Sequence, residues 1–219
     1  MSTAIIGVGN LGSTVARHLV AGGEVVVLAA QDEEHAQALA NELGPNASSA
    51  SVEDAIASAD VVVLAVWLDQ IKALVPEQAH LLENKTVVDP SNPIGFENGQ
   101  LVRTLPADQS AASFVEALLP ASARYVKAFG TLGADSLASA ANRVPRRATL
   151  FYATDDEEAA GIVERLIRAA GFDPLKAGPS ADAGRLEGPD GDLSQGGLNG
   201  EVVDLNQARA AIAARKVTA

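Results

Sequence analysis

The residues with the clearest chemical purpose stand at the start of the chain. Gly7, Gly9 and Gly12 give the spacing Gly-x-Gly-x-x-Gly within Gly7-Val8-Gly9-Asn10-Leu11-Gly12. Ala4-Ile5-Ile6 before them reads as a short buried strand, and a helical pattern follows at once. A dinucleotide pyrophosphate needs this order of parts. The first glycine permits a tight turn, the second lets the phosphates approach the backbone, and the third lets helix and strand pack closely. Free N–H groups and the dipole at the helix start then receive the negative charge. Asp32 lies twenty residues beyond Gly12. Its carboxylate either accepts hydrogen bonds from the adenosine ribose or caps the next helix, and one geometry can serve both.

These residues need elements to position them, and the hydrophobic periodicity supplies strands alternating with helices. Leu11, Val15 and Leu19 share a helical face that Gly22-Gly23 ends. Val25 to Leu28 and Val61 to Val66 are unbroken apolar runs, as expected of strands covered on both faces. Ala36, Leu39, Ala40 and Leu43 give the second helix; a weak strand at Ala47–Ser49 and a capped helix from Ser51 follow. Leu68, Ile71 and Val75 form a helical face that Pro76 should break. Thr86 to Asp89 reads as a strand, and Pro90 to Pro106 as a long aperiodic loop of the kind that is usually functional. A helix around Phe114, strands at Tyr125–Phe129 and Thr149–Ala153, and an amphipathic helix through Ile167 complete the series. Leu175–Ala177 reads as a last strand, which Pro174 places at a sheet edge. The expected fold is α/β: a doubly wound, mostly parallel Rossmann-type sheet of about 7–8 strands. Residues 1–177 would form this dinucleotide-binding domain. Residues 178–219 would add a Gly-rich segment (Gly178–Gly200) and a terminal helix from Glu201 to Arg215, docked on the sheet or on a second subunit.

In such a fold the ligand lies at the carboxyl ends of the strands, near the point where the winding reverses. That rule selects Gly7 to Gly12 for the pyrophosphate and Ala30, Gln31 and Asp32 for the adenosine ribose. Ala65-Val66-Trp67, Asn92, Ala128 and Gly130 would then surround the nicotinamide and whatever reacts with it. Trp67 either lies over the ring system or fills a core edge. Asp89 either orients a substrate or accepts backbone N–H groups of the Pro-rich loop. No catalytic acid/base pair is evident. His18, His35 and His80 fall within helical patterns and read as surface residues, and Lys127 is the lone basic residue near the cleft. An alcohol dehydrogenase usually needs a positioned proton donor. Hydride transfer between two bound carriers asks less, because holding two rings at reacting distance supplies most of the catalysis.

Composition narrows the classes further. The 219 residues carry a formal net charge of −12 without a Lys/Arg run, which argues against nucleic acid or an anionic membrane as partner. There is no cysteine, so disulfides and thiolate metal sites are excluded, and no metal site is expected. Met1-Ser2-Thr3 runs straight into the first strand, and the longest apolar run, Val61 to Leu68, falls far short of the roughly 20 residues that span a bilayer. A cytoplasmic protein is the expectation.

Several pieces together resemble one family. Gly7-Val8-Gly9-Asn10-Leu11-Gly12, Asp89-x-x-Asn92-Pro93, Lys127-Ala128-Phe129-x-Thr131, and Gly171-Phe172-Asp173-Pro174 leading to Ala177-Gly178-Pro179 follow one another. Their order is similar to that in NADPH-dependent reductases of the deazaflavin coenzyme, the F(420)-dependent NADP oxidoreductase-like proteins. The resemblance spans roughly residues 1 to 187. It implies a single Rossmann-type domain with an extended sheet, usually a homodimer, in which hydride passes between the nicotinamide C4 and a second carrier. Three departures stand out. The family's Ser-Arg pair for the 2′-phosphate is replaced by Ala30, Gln31 and Asp32, so NAD is as compatible as NADP. The family's Lys-Ala-Phe-Asn-Thr has Gly130 in place of Asn, which removes a cleft amide and would leave a wider pocket. The Gly-rich segment after Arg185 differs from the family's ending, which helps form the carrier site. The reading is therefore an NAD(P)-dependent oxidoreductase acting on a small-molecule hydride acceptor: flavin-like, deazaflavin-like, or a small imine or carbonyl compound. The alternative is a non-catalytic dinucleotide-binding redox sensor or scaffold.

Overall fold

The computed structural model describes residues 1–188 and 190–214, with side chains throughout except at Phe96 and Leu101. Arg215, the expected end of the terminal helix, lies outside the described residues. In chain order the first elements are β1 (Ser2–Ile6), α1 (Asn10–Ala21), β2 (Val25–Ala29), α2 (Glu33–Leu43), β3 (Ala47–Ser49), α3 (Val52–Ser58), β4 (Val61–Leu64), α4 (Leu68–Glu77), α5 (Ala79–Leu82) and β5 (Thr86–Asp89). A hairpin of β6 (Ile94–Glu97) and β7 (Gln100–Arg103) comes next, then α6 (Ala111–Leu118), β8 (Arg124–Ala128), α7 (Ala134–Ala140), β9 (Thr149–Ala153), α8 (Glu157–Ala169) and β10 (Asp173–Gly178). A 3₁₀ helix at Ser180–Leu186 and α9 (Leu205–Ala214) close the described chain.

The main sheet has eight strands in the order β10-β9-β8-β5-β4-β1-β2-β3. Neighbours are parallel except β8 and β9, which are antiparallel. The doubly wound, mostly parallel sheet expected from the alternation is therefore present, and its winding reverses between β1 and β4. Side chains of β1 alternate between the two faces: Ile5 packs in one buried cluster, Ala4 and Ile6 in the other. Helices α1, α2, α7 and α8 cover the first face, and α3 to α6, the 3₁₀ helix and α9 the second. Strands covered on both faces read as continuous apolar runs, as Val61-Val62-Val63-Leu64 does.

Two local expectations are corrected. Pro76 does not break its helix; it sits in the last turn of α4, which runs on to Glu77. The segment from Pro90 to Pro106 is not aperiodic. It holds the β6–β7 hairpin, whose Asn98-Gly99 turn has φ of 50° and 78°. Asn-Gly is the pair that a tight hairpin turn with two positive φ angles favours. The base of the hairpin is pinned by Arg103, whose guanidinium donates to the carbonyl oxygens of Leu105, Pro106 and Gln109 and to Asp190.

The tightest packing in the sheet is at its reversal. A Cβ on Gly12 would stand 2.0 Å from the Gly7 carbonyl oxygen, and one on Gly7, where φ is +98°, would stand 2.4 Å from that of Ala65. Gly12 is buried on the face of α1 that also carries Val15, Ala16 and Leu19. Gly12→Ala must therefore push α1 off β1. The expected cost is about 1–3 kcal/mol, read as a lower urea midpoint with an unchanged slope; an unchanged midpoint would show that α1 can shift freely.

Candidate functional site

The crevice at the carboxyl ends of β1 and β4 is built from the glycine turn. Gly9 is the N-cap of α1 and makes no side-chain cap bond, so the first-turn N–H groups of the helix are left for another partner. A Cβ built on Gly9 would meet nothing within 4 Å. The three glycines thus divide their work: Gly7 and Gly12 allow backbone contacts inside the protein, and Gly9 faces open space. That is the cradle a pyrophosphate fits, with N–H donors beneath it and no side chain in the way. Val8 is buried, Asn10 exposed and Leu11 half-buried.

Ala30, Gln31 and Asp32 follow β2 at the same edge of the sheet; Gln31 and Asp32 are exposed. Asp32 caps α2, its Oδ1 accepting the His35 N–H at 3.1 Å. The capping reading is therefore present in the structure, and the residue remains exposed. Glu33 and Glu34 add two further acids in the first turn of α2.

Ala65 and Val66 lie against Gly7, and Trp67 follows as the N-cap of α4. Trp67 is 50% exposed, so it does not fill a core edge. The side chain of Ala128 packs in the core. Asn92 is half-buried, its Nδ2 donating to the Gly130 carbonyl at 3.1 Å and its Oδ1 accepting from the Gly188 N–H at 2.7 Å. Its amide ties three segments together. Gly130 does not open a wider pocket, because a Cβ there would stand 2.3 Å from the Pro90 carbonyl oxygen. The space of a side chain is taken by the Pro90 backbone. Phe129, just before it, is fully buried with φ +65°, a left-handed conformation rare for a bulky residue.

Sequence reasoning missed the most strongly built feature near the cleft. Lys127 is 2% exposed and sits between Asp89 (0%) and Glu187 (4%). Its Nζ lies 2.9 Å from Asp89 Oδ2 and 3.3 Å from Glu187 Oε1, and donates to the Ser91 carbonyl at 2.5 Å. The Tyr125 hydroxyl donates to Asp89 Oδ2 at 2.7 Å, and Asp89 Oδ1 accepts the Ser91 N–H at 2.8 Å. Asp89 thus holds the Pro-rich loop, the second of its two readings. Burial first, and then the Asp89 carboxylate, push the Tyr125 phenol well above its ordinary range. The legible signals were Asp89 at a strand end and Lys127 as the lone basic residue near the cleft; that they meet each other and Glu187 was not legible, because the three lie far apart in sequence. His18 was misjudged in the same direction. It is half-buried, its Nε2 3.1 Å from the Leu137 carbonyl oxygen and its ring edge-on to Phe172.

The Gly-rich segment lies over this end of the sheet. Besides Gly188 on Asn92, the Gln195 N–H donates to the Thr131 carbonyl at 2.8 Å and Gln195 Oε1 accepts from the Gly133 N–H at 3.0 Å. The Thr149 N–H donates to the Val203 carbonyl, and α9 packs Ala208 into the core of the second face. Ser91 Oγ and Thr131 Oγ1, both beneath the segment, are buried hydroxyls with no protein partner. Among the described residues no cluster of His, Cys, Asp or Glu is suited to hold a metal ion. No helix among them is long and apolar enough to cross a membrane.

The fold is that of a Rossmann-type dinucleotide-binding domain. Residues 2–93 match the family described as NADP oxidoreductase, coenzyme F420-dependent. The match holds the glycine turn and the Asp89–Pro93 loop; the later motifs at Lys127–Thr131 and Gly171–Pro179 lie beyond it. The metalloreductase STEAP3 of Rattus norvegicus is 32% identical over 183 residues, which cover 84% of this chain and 35% of that protein, so the chain spans about a third of this relative. Among solved structures, the hypothetical protein SMa0349 from Sinorhizobium meliloti is similar with a TM-score of 0.79 at 29% identity, covering 89% of this chain and 93% of that one. A candidate F420-dependent NADP-reductase from Arthrobacter sp. FB24 follows with a TM-score of 0.72 at 25% identity, covering 84% and 87%.

The buried ion cluster makes a stability prediction. Lys127→Met leaves two buried carboxylates facing each other without an ammonium, at an expected cost of about 3–5 kcal/mol. Tyr125→Phe removes one hydrogen bond to a charged group and should cost less, about 1.5–3 kcal/mol. Equal midpoints for the two variants in denaturant would contradict this account of the cluster.

Proposed function

We propose that the chain binds a nicotinamide dinucleotide across the β1–β4 crevice and serves hydride transfer between it and a planar ring carrier, flavin- or deazaflavin-like. The observation that carries this reading is the glycine turn: Gly7 and Gly12 are closed by contacts to backbone, and Gly9 opens on space at an uncapped helix start. When bound, the nicotinamide supplies or accepts a hydride at its C4. Gly7 to Gly12 would hold the pyrophosphate, and Ala30 to Asp32 the adenosine ribose. Ala65, Val66, Trp67, Asn92, Ala128 and Gly130 would border the nicotinamide end.

The loops at that end support a ring carrier over a small carbonyl or imine compound. Residues 65–67, 90–93 and 129–133 include no Asp, Glu, His, Lys, Arg or Tyr. Asp89 and Lys127, at the ends of the strands that lead into these loops, and Glu187 are buried and satisfied by one another. Reducing a carbonyl needs a proton donor in reach of its oxygen. A conjugated ring spreads the added charge and takes its proton from water, so the protein needs only to orient the two rings.

The adenosine end favours NAD(H) over NADP(H). No Lys or Arg occurs between Arg17 and Lys72, and the Arg17 guanidinium is engaged by Glu42. Asp32, Glu33 and Glu34 are exposed around the end of β2. A 2′-phosphate placed there meets like charge and no cation, whereas a 2′-hydroxyl can donate to Asp32. A homodimer in the cytoplasm, with a small-molecule acceptor as the partner of the reaction, completes the proposal.

Trp67 is the single tryptophan of the chain and stands at the mouth of the crevice. Titration with NADH should quench its emission and raise the melting temperature, with NADH binding about tenfold or more tighter than NADPH, a difference of about 1.4 kcal/mol. No quenching and no thermal shift with either nucleotide would contradict dinucleotide binding. Gln31→Arg combined with Asp32→Ala should bring NADPH to parity or better. An unchanged ratio would reduce Asp32 to a helix cap. Tight binding without turnover on any flavin, deazaflavin, quinone or imine would favour the redox sensor instead.

A further inference from the structure

The Gly-rich segment reaches the cleft by way of one buried carboxylate. Glu187 follows the 3₁₀ helix and is 4% exposed. Its Oε2 accepts the Ala111 N–H at 2.8 Å, and its Oε1 accepts the Ala112 N–H at 2.7 Å. Those are the first two amides of α6; Ser110 already caps the third, its Oγ accepting the Ser113 N–H at 3.0 Å. Glu187 Oε1 also lies 3.3 Å from Lys127 Nζ. A residue remote in sequence therefore completes the cap of α6 and adds a second carboxylate to the ammonium that holds the loop after β5.

The chain beyond Glu187 is sewn to the cleft loops. The Gly188 N–H donates to Asn92, and Asn92 donates to the Gly130 carbonyl. The Gly191 N–H turns back onto the Glu187 carbonyl at 2.7 Å, in a turn so tight that a Cβ on Gly191 would stand 2.4 Å from the Arg185 carbonyl oxygen. A second anchor comes at Gln195, which bonds Thr131 and Gly133 through its backbone and Oε1 and reaches Ser136 Oγ at 2.8 Å through Nε2. Between them the two anchors hold both loops, 90–93 and 130–133, that would border the nicotinamide end. The hydrogen bonds that both anchors make outside the segment go to these loops and to α7, not to the glycine turn.

From this we infer that Glu187 is a positioning residue: it holds the segment from Gly188 to Gly200 onto the loops after β5 and β8, and so shapes the acceptor side of the cleft without taking part in cofactor binding. The physical basis is the cost of its alternative. A carboxylate released from two helix N-terminal amides and an ammonium gains solvation but leaves the Ala111 and Ala112 N–H groups unpaired and takes one of its two carboxylates from Lys127. The segment is thus docked by a charged bond at its start as well as by the fully buried Leu193 side chain within it. That the loops serve an acceptor rests on the function proposed above; that Glu187 docks the segment does not.

The test uses the full chain with Glu187→Gln. Glutamine has a single acceptor oxygen and turns an NH₂ group toward one of the donors, so the geometry cannot be kept. Hydrogen exchange of amides in 188–200 and 130–133 should quicken about tenfold or more, with exchange in β1 and α1 unchanged. The Kd for NADH should rise less than the acceptor KM, because the pyrophosphate and ribose ends are untouched. The acceptor KM should rise about tenfold with kcat within about threefold, the split expected of a lost positioning contact. Gln195→Ala, which touches no buried charge, should give the same pattern in weaker form and keeps the test available if Glu187→Gln does not fold. Unchanged exchange in 188–200 overturns the docking role. Quickened exchange with an unchanged acceptor KM, or an NADH Kd weakened as much as the acceptor KM, overturns the acceptor-side role. Wild-type protein that binds NADH but turns over no acceptor sinks the proposed function, and the exchange data alone then decide the docking role of Glu187.

Discussion

Everything at the crevice depends on how closely α1 approaches β1. The contact is backbone on backbone: the Gly7 carbonyl fills the space where a Gly12 side chain would be, and the Ala65 carbonyl fills that of Gly7. These approaches bring the start of α1 to the end of β1 and leave Gly9 as the single glycine of the three facing outward. A helix start is an anion site only if its first N–H groups remain unpaired and reachable. Close packing on two sides and openness on the third produce that condition without any charged side chain.

The other end of the cleft is organised by charge. One ammonium, Lys127, is shared by two buried carboxylates, Asp89 from β5 and Glu187 from the C-terminal segment. Buried ion pairs are weak evidence for net stability, but removing one partner is costly, so such a cluster fixes which segments meet. Here it fixes the Pro-rich loop, α6 and the Gly-rich segment relative to β8. The two ends have opposite physics. The glycine-turn end, proposed for the pyrophosphate, is shaped by sterics and left open; the end proposed for the acceptor is shaped by internal ion pairing that leaves its bordering loops uncharged. An uncharged border suits two stacked rings better than a substrate that must be protonated in place.

How much of this was legible in the residues themselves differs from element to element. The glycine turn and the continuous apolar strands could be read because their signals are local: spacing within a few residues and a run of valines. The capping role of Asp32 was equally local, three residues from the amide it accepts. The hairpin was readable in Asn98-Gly99 but was masked by the prolines around it. Pro76 misled because proline is tolerated where a helix is about to end. The Lys127 cluster was out of reach, since Asp89, Lys127 and Glu187 are brought together only by strand order and by the return of the C-terminal segment. Gly130 shows a subtler failure. Measured against the family pattern it reads as a lost side chain, yet the structure fills that space with the Pro90 backbone, so the change is one of packing and not of pocket size.

The claim at the centre is direct hydride transfer between a nicotinamide and a second ring. The most direct measurement supplies NADH deuterated at C4 with a deazaflavin acceptor, whose receiving atom is a carbon that does not exchange with water. The account predicts deuterium on that ring carbon in ordinary water, from one face of the nicotinamide only. Reduction of the acceptor with hydrogen from solvent in its place, or oxidation of NADH from both faces alike, would contradict it.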